Sequence, residues 1–327
     1  MTIRSGSLTR TALAPSGLSL IDQPGSTLVV AQPVAQPGAM TQTDPGADSA
    51  LPPMGSVLGV DVGFSPKRRS SAVCRLDWDP GAITWDIHRF RALPAEQEAA
   101  IRGVAGRVRL QAAAFDGPLR AGLDAIGRYR AAERMLTRRL GARIGKPGQA
   151  SAPVGKALNA AANDCARIVL RGCTVEPARH AVRIHDRAVV EAFPGAFLGV
   201  MLDEPGEVAA VRSDRSDVFF RHLSASGTLE ALLKHLLPGR SLGLPLEGVM
   251  DHDDRAALVC ALTALCVASG DFTAVGDADG WIILPPRRFV RPWAWSDLEA
   301  NAGDESPGCL HQASDLHIRY DHSWSTT

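Results

Sequence analysis

No Cys-x-x-Cys pair occurs in the chain, although it has six cysteines. That absence argues against a zinc ribbon or a dithiol redox centre. An excess of one charge is missing too. Lys and Arg total 35, Asp and Glu total 35, and the formal net charge is zero. The whole molecule is therefore no polycation, and any contact with nucleic acid has to come from a local basic patch. No apolar run reaches the roughly 20 residues that span a bilayer. The N-terminus lacks a compact signal-peptide core, because Leu8 to Ile21 is broken by Thr, Pro, Ser and Gly. Cys260 and Cys266 lie in an apolar helical run and read as small core residues. The cysteine pattern suits a reducing, cytoplasmic setting.

What the sequence does have is a core-forming middle between two polar ends. Hydrophobic residues make up 45% of the 327, enough for one large domain or two small ones. Residues 1–53 are rich in Pro, Gly, Ser, Thr and Gln. Such a segment cannot bury enough apolar surface to offset its ordering entropy, which predicts a disordered tail. An over-long start, with Met54 near the true beginning of the fold, is the alternative. Residues 54–295 form the expected domain, and 296–327 read as a polar C-terminal tail.

Within the domain, β-branched alternation predicts strands at 56–62, Ser71–Trp78 and Ala82–Phe90, the last two joined by an Asp79-Pro80-Gly81 turn. Further strands are expected at Leu110–Asp116, Ala188–Phe193 and Trp281–Leu284. Helices are expected at 94–108, 126–141, 153–171, 214–225, 228–237 and 252–269, with a short one opened by Pro194. The helix at 252–269 is apolar on all faces after its first turn (AALVCALTALCVA), the mark of a buried helix. Hairpin-linked strands followed by βα units imply an α/β fold with a mixed sheet and helices on its faces.

Acids interrupt this apolar pattern. Asp61 stands in VLGVDVGF, Asp116 ends AAAFD, Glu191 breaks VVEAF, and Asp253 and Asp254 open the buried helix. A lone buried carboxylate costs several kcal/mol unless it is paired or metal-bound. Acids that converge are what a hard divalent cation needs, and two such ions can stabilise the attacking and leaving oxygens of a phosphodiester. Ordinary roles stay open. Asp116 before Gly-Pro suits a turn, Asp251 suits a helix N-cap with Asp254 favoured by the macrodipole, and Glu191 could pair with Arg187.

Six motifs occur in order: GVDVGFS at 59–65, AFDGPL at 114–119, RAAERML at 130–136, VEAFPGAFL at 190–198, HDDRAALVCALTAL at 252–265 and DGWIILP at 279–285. Over residues 56–286 the chain resembles the DUF429 family, a group of predicted nucleases with an RNase H-like fold. The resemblance implies a mixed five-stranded sheet with the first strand central. It also implies a catalytic and metal-binding site built from Asp61, Asp116, Glu191 and Asp254, with Asp253 as the second choice on the helix. The implied cofactor is Mg²⁺ or Mn²⁺, two ions together, and the implied partner is DNA or RNA. The turn after Asp61 departs from the family pattern in carrying Lys67, Arg68 and Arg69.

The most basic stretch runs from Arg120 to Lys146. It reads either as a phosphate-contacting stripe near Asp116 or as a solvated helix face. On the first reading Arg134, Arg130 and Arg138 are substrate contacts, and His252 assists proton transfer or ligates metal. Two other functions compete with a nuclease. One is a phosphotransferase or ATPase of the actin/hexokinase type, since Asp61-Val62-Gly63 also fits a first phosphate loop. The other is a binding module with vestigial acids.

Overall fold

The structure is a computed structural model, and it describes residues 51–120, 123, 126–182, 185–209, 215–305 and 308–316. The predicted tail lies, up to residue 50, outside the described residues. Residues 51–53 already belong to the fold. Leu51 packs on the core, the Trp78 indole donates to the Pro52 carbonyl at 2.9 Å, and Arg240 Nη2 donates to the Pro53 carbonyl.

The first three strands are β1 (Gly55–Asp61), β2 (Ser71–Trp78) and β3 (Ala82–Phe90), joined as antiparallel neighbours. Asp79 fixes the second hairpin by accepting the Gly81 and Ala82 amides at 2.7 and 2.8 Å. Helix α1 (Pro94–Ala105) leads to β4 (Arg109–Asp116), which lies parallel to β1. Next come α2 (Ala131–Thr137), α3 (Gly141–Ile144), α4 (Pro153–Gly172), β5 (Thr174–Val175) and β6 (Val189–Ala192). Four helices follow: α5 (Pro194–Gly199), α6 (Pro205–Val208), α7 (Arg215–Ala225) and α8 (Thr228–Leu236). The described residues continue through β7 (Ser241–Leu242), α9 (His252–Ser269), β8 (Thr273–Asp277), β9 (Gly280–Leu284), α10 (Pro292–Asp304) and β10 (Leu310–Gln312).

Among the described residues the strands form one ten-stranded mixed sheet in the order β10-β8-β9-β6-β4-β1-β2-β3-β7, with β5 beside β4. The five strands expected from the motifs occupy its middle as β3-β2-β1-β4-β6, and β1 is central. The strand expected at Trp281–Leu284 forms as β9 beside β6, and the sheet is wider than the five strands the resemblance implied. The β8–β9 hairpin and β10 extend it beyond β6, and β7 adds an edge next to β3. The stretch predicted as a polar tail from residue 296 instead holds most of α10 and all of β10. Its polarity misled because α10 is held largely by ion pairs, described below, while Ala294, Leu298 and Asn301 are its buried residues.

β1 is buried from Ser56 to Val60, as a central strand covered on both faces must be. Helix α9 covers one face. It has no Gly or Pro inside, is buried without a break from Arg255 to Val267, and stops at Gly270, whose φ of 72° gives the left-handed cap. α9 sits on β1 at Gly59. A Cβ there would lie 2.1 Å from the Ala261 nitrogen and 2.3 Å from the Ala257 carbonyl oxygen. Gly59 pairs with Cys74, whereas its neighbour Leu58 pairs with Arg75. Arg75 therefore points to the other face, where its Nη1 donates to the Val104 carbonyl of α1 at 2.6 Å.

Replacing Gly59 by Val forces α9 off the sheet. Overpacking of this kind costs about 1–3 kcal/mol or more, and the midpoint of urea unfolding falls accordingly. An unchanged midpoint would contradict the close packing.

Candidate functional site

Asp61 and Asp116 are the last residues of two neighbouring parallel strands and stand opposite each other in the ladder. Opposite residues of paired strands share a face, and Asp61 lies two residues after Gly59, so both carboxylates are on the α9 face. The row continues across the sheet. Asp61 pairs with Ala72, and Ala72 pairs with Arg89. Asp116, Asp61, Ala72 and Arg89 thus form one line over four strands, with buried Ala72 leaving room between acid and base.

The first turn of α9 lies over this line. Burial, and then the negative charges of Asp116, Asp253 and Asp254, hold the Asp61 carboxyl well above its usual pKa. Burial pushes Asp116 up to about 7, with His252 pulling it back. Asp253 and Asp254 are also raised by burial, against the opposing pull of His252 and Arg89 on Asp253 and of Arg89 on Asp254. Asp254 Oδ1 is buried without a hydrogen bond, since its ion-pair partner, Arg89 Nε, stays 3.5 Å away. Arg89 Nη1 turns to Asp251 at 2.9 Å. Asp251 occupies the N-cap position of α9, but its side chain makes no capping bond. His252 is exposed, with Nδ1 3.2 Å from Asp217, which also holds Arg255 at 3.1 Å.

Glu191 does not join the line. It pairs with Phe115, one position away from Asp116, and a one-residue offset turns a side chain to the opposite face. There it is 1% exposed. Arg130 Nη1 donates to both its oxygens at 3.0 and 2.9 Å, and the Leu119 amide donates to Oε1. Burial raises its pKa while Arg130 lowers it. Gly280 makes the pair possible, because a Cβ there would lie 2.4 Å from Arg130 Nη1.

The three arginines expected to touch substrate all make internal ion pairs. Arg130 is buried between Glu133 and Glu191. Arg134 grips Glu305 through Nε and Nη2, and Arg138 pairs with Glu305 and Asp304. Arg139 takes Asp304 and Asn301, and Arg143 takes Asp297 and stacks on Trp293. The basic stripe thus finds its counter-ions on and just after α10, the segment whose polarity had suggested a tail. α2 packs over β8 and β9. β8 lies three strands from β4, about 14 Å at the usual spacing.

Among the described residues, no group of three or more His, Cys, Asp or Glu side chains stands close enough to cage a metal ion. No helix there is long and apolar enough to cross a membrane. No family model, curated protein or solved structure matches the chain. Arg89 and Asp217 were not foreseen. Arg89 carries a weak signal, since it sits in β3 at a position whose partner row contains Asp61, but only the register reveals it.

The raised pKa values fix a sign. A carboxyl whose folded pKa is raised favours the fold when protonated. The stabilisation is complete below the unfolded value near 4 and lost as pH rises through about 7 for Asp116. Without divalent cations, Asp61→Asn therefore raises the melting temperature at pH 8 by roughly 2–6 °C, and the gap closes toward pH 4. A variant no more stable than wild type at pH 8 would contradict the clustering.

Proposed function

We propose that the chain is a metal-dependent hydrolase of nucleic-acid phosphodiester bonds, working at Asp61, Asp116 and Asp254 with Asp253 beside them. The observation that carries this is the line of Asp116 and Asp61 at two adjacent strand ends beneath the acidic first turn of α9. Four carboxylates whose pKa values burial raises, three of them bearing on Asp61, and one with a buried oxygen that accepts no hydrogen bond, have the chemistry of a cation site. Mg²⁺ keeps several waters and needs only one or two protein carboxylates, so the donor set fits even though no three acids form a ready cage. When bound, such ions activate water and stabilise the leaving oxygen.

The residues present would do three things. Asp61 and Asp116, fixed by the ladder, would hold the ion. Arg89 would keep Asp254 over them. His252, its Nδ1 3.2 Å from Asp217, would place an imidazole at the rim. Glu191 has no part in this version of the site. The middle strand order β3-β2-β1-β4-β6, with three antiparallel strands and then two parallel to β1, agrees with the RNase H-like fold and the DUF429 resemblance.

A nucleic-acid partner is supported by the loop after Asp61. Ser65 Oγ accepts the Lys67 and Arg68 amides, and Lys67, Arg68 and Phe64 are exposed. Lys67 and Arg68 make no ion pair among the described residues, so they are available to phosphates.

Labelled single-stranded, duplex, branched and hybrid nucleic acids incubated with Mn²⁺ or Mg²⁺ test the proposal. Cleavage is expected with metal, and Asp61→Asn should lower it ~100-fold or more, the equivalent of about 2.7 kcal/mol. Arg68→Ala should weaken substrate binding, and Arg134→Ala should leave cleavage unchanged. Metal-dependent cleavage that survives in Asp61→Asn, or no cleavage of any substrate, would refute it.

A further inference from the structure

A cavity of about 300 Å³ opens on the far side of Asp116, between β4, β6 and the start of α4. That is the lower end of the ligand-pocket range, about 300–1,000 Å³, and suits one ring system better than an extended ligand. Its walls are apolar: Pro118, Val154, Leu158, Phe193 and Ile282. Val154 is 67% exposed at this cavity, an apolar side chain that a bound ring would cover. Asp116 and Gly117 also line it, so the cavity adjoins the acidic line.

The polar floor is selective. Arg130, 3% exposed, spends Nε on Glu133 and Nη1 on Glu191 and the Asp279 carbonyl. A guanidinium has five N–H donors. Nη2 makes no hydrogen bond among the described residues, and Arg130 lines the cavity. Around it stand two carboxylates, Glu133 and Glu191, against one guanidinium. That excess of negative charge repels an anion, so phosphate is kept out and a neutral group is admitted.

We infer that this cavity is a nucleobase subsite, taking a neutral planar ring whose carbonyl oxygen accepts from Arg130 Nη2, with the attached sugar and phosphate directed toward Asp116. The inference rests on the nuclease reading for its biological ligand, but the cavity itself is independent of the metal. A neutral ring packs on Pro118, Leu158 and Phe193 without losing hydration of a charge. Guanine and uracil carry a ring carbonyl, and adenine does not.

The test is calorimetry or saturation-transfer NMR on the full chain in EDTA, with uridine, guanosine, adenosine and inorganic phosphate as probes. Uridine and guanosine are expected to bind about 5–10-fold more tightly than adenosine, the worth of one hydrogen bond, and phosphate should not compete. Val154→Trp, at an exposed position that leaves the fold intact by circular dichroism, should weaken nucleoside binding at least as much. Asp61→Asn should bind nucleosides like wild type. Failure of folded wild type to bind any nucleoside at millimolar concentration would overturn the subsite, as would equal binding of adenosine or indifference to Val154→Trp. Loss of cleavage with nucleoside binding kept would refute the nuclease alone, and cleavage without nucleoside binding would refute the subsite alone.

Discussion

The contact of α9 with β1 at Gly59 is what the rest of the structure depends on. Any side chain at position 59 would meet the α9 backbone first. With hydrogen alone there, an apolar helix lies directly on the central strand. The helix is buried from Arg255 to Val267, so its position is set by packing over most of its length. The first turn is then carried over the ends of β1 and β4. Asp253 and Asp254 reach Asp61 because thirteen apolar or neutralised positions behind them hold the helix down.

That packing works against the charges it assembles. Burial raises Asp61, Asp116, Asp253 and Asp254, and the charges of the other three raise Asp61 further. The one guanidinium on the line, Arg89, divides itself between Asp251 and Asp254. On the opposite face Glu191 meets the same problem and solves it differently, with a dedicated arginine, a backbone amide and a glycine that clears the space. One acid is neutralised by protein and the others are not. This contrast is the physical basis for proposing a cation at the second group and not at the first.

Much of the sheet could be read from the sequence. Ser71–Trp78, Ala82–Phe90 and the long helix at 252–269 form as alternation and composition predict, because each has an unmixed pattern and a clear stop such as Asp79-Pro80-Gly81 or Gly270. Asp61 and Asp116 were legible as acids in otherwise apolar strands. Glu191 was legible as a buried acid, but its face was not. Face depends on the register of β6 against β4, a tertiary property that one residue of slip reverses. The basic stripe misled for a related reason. Arg134, Arg138 and Arg139 look unpaired along the chain, since their partners, Asn301, Asp304 and Glu305, stand more than 160 residues away. β5, β7 and β10, of two or three residues each, carry too little pattern to be seen.

The claim that the acids at the ends of β1 and β4 and the start of α9 form a divalent-cation site is tested most directly by Mn²⁺ binding. Titration of the metal-free full chain, followed by the electron paramagnetic resonance of free Mn²⁺, reads occupancy without any assumption about substrate. The account predicts saturable binding at pH 8 that disappears in Asp61→Asn and Asp116→Asn, weakens as pH falls through about 7, where Asp116 takes up its proton, and persists in Glu191→Gln. Binding that survives loss of Asp61 and Asp116, or is absent from wild type, would contradict it.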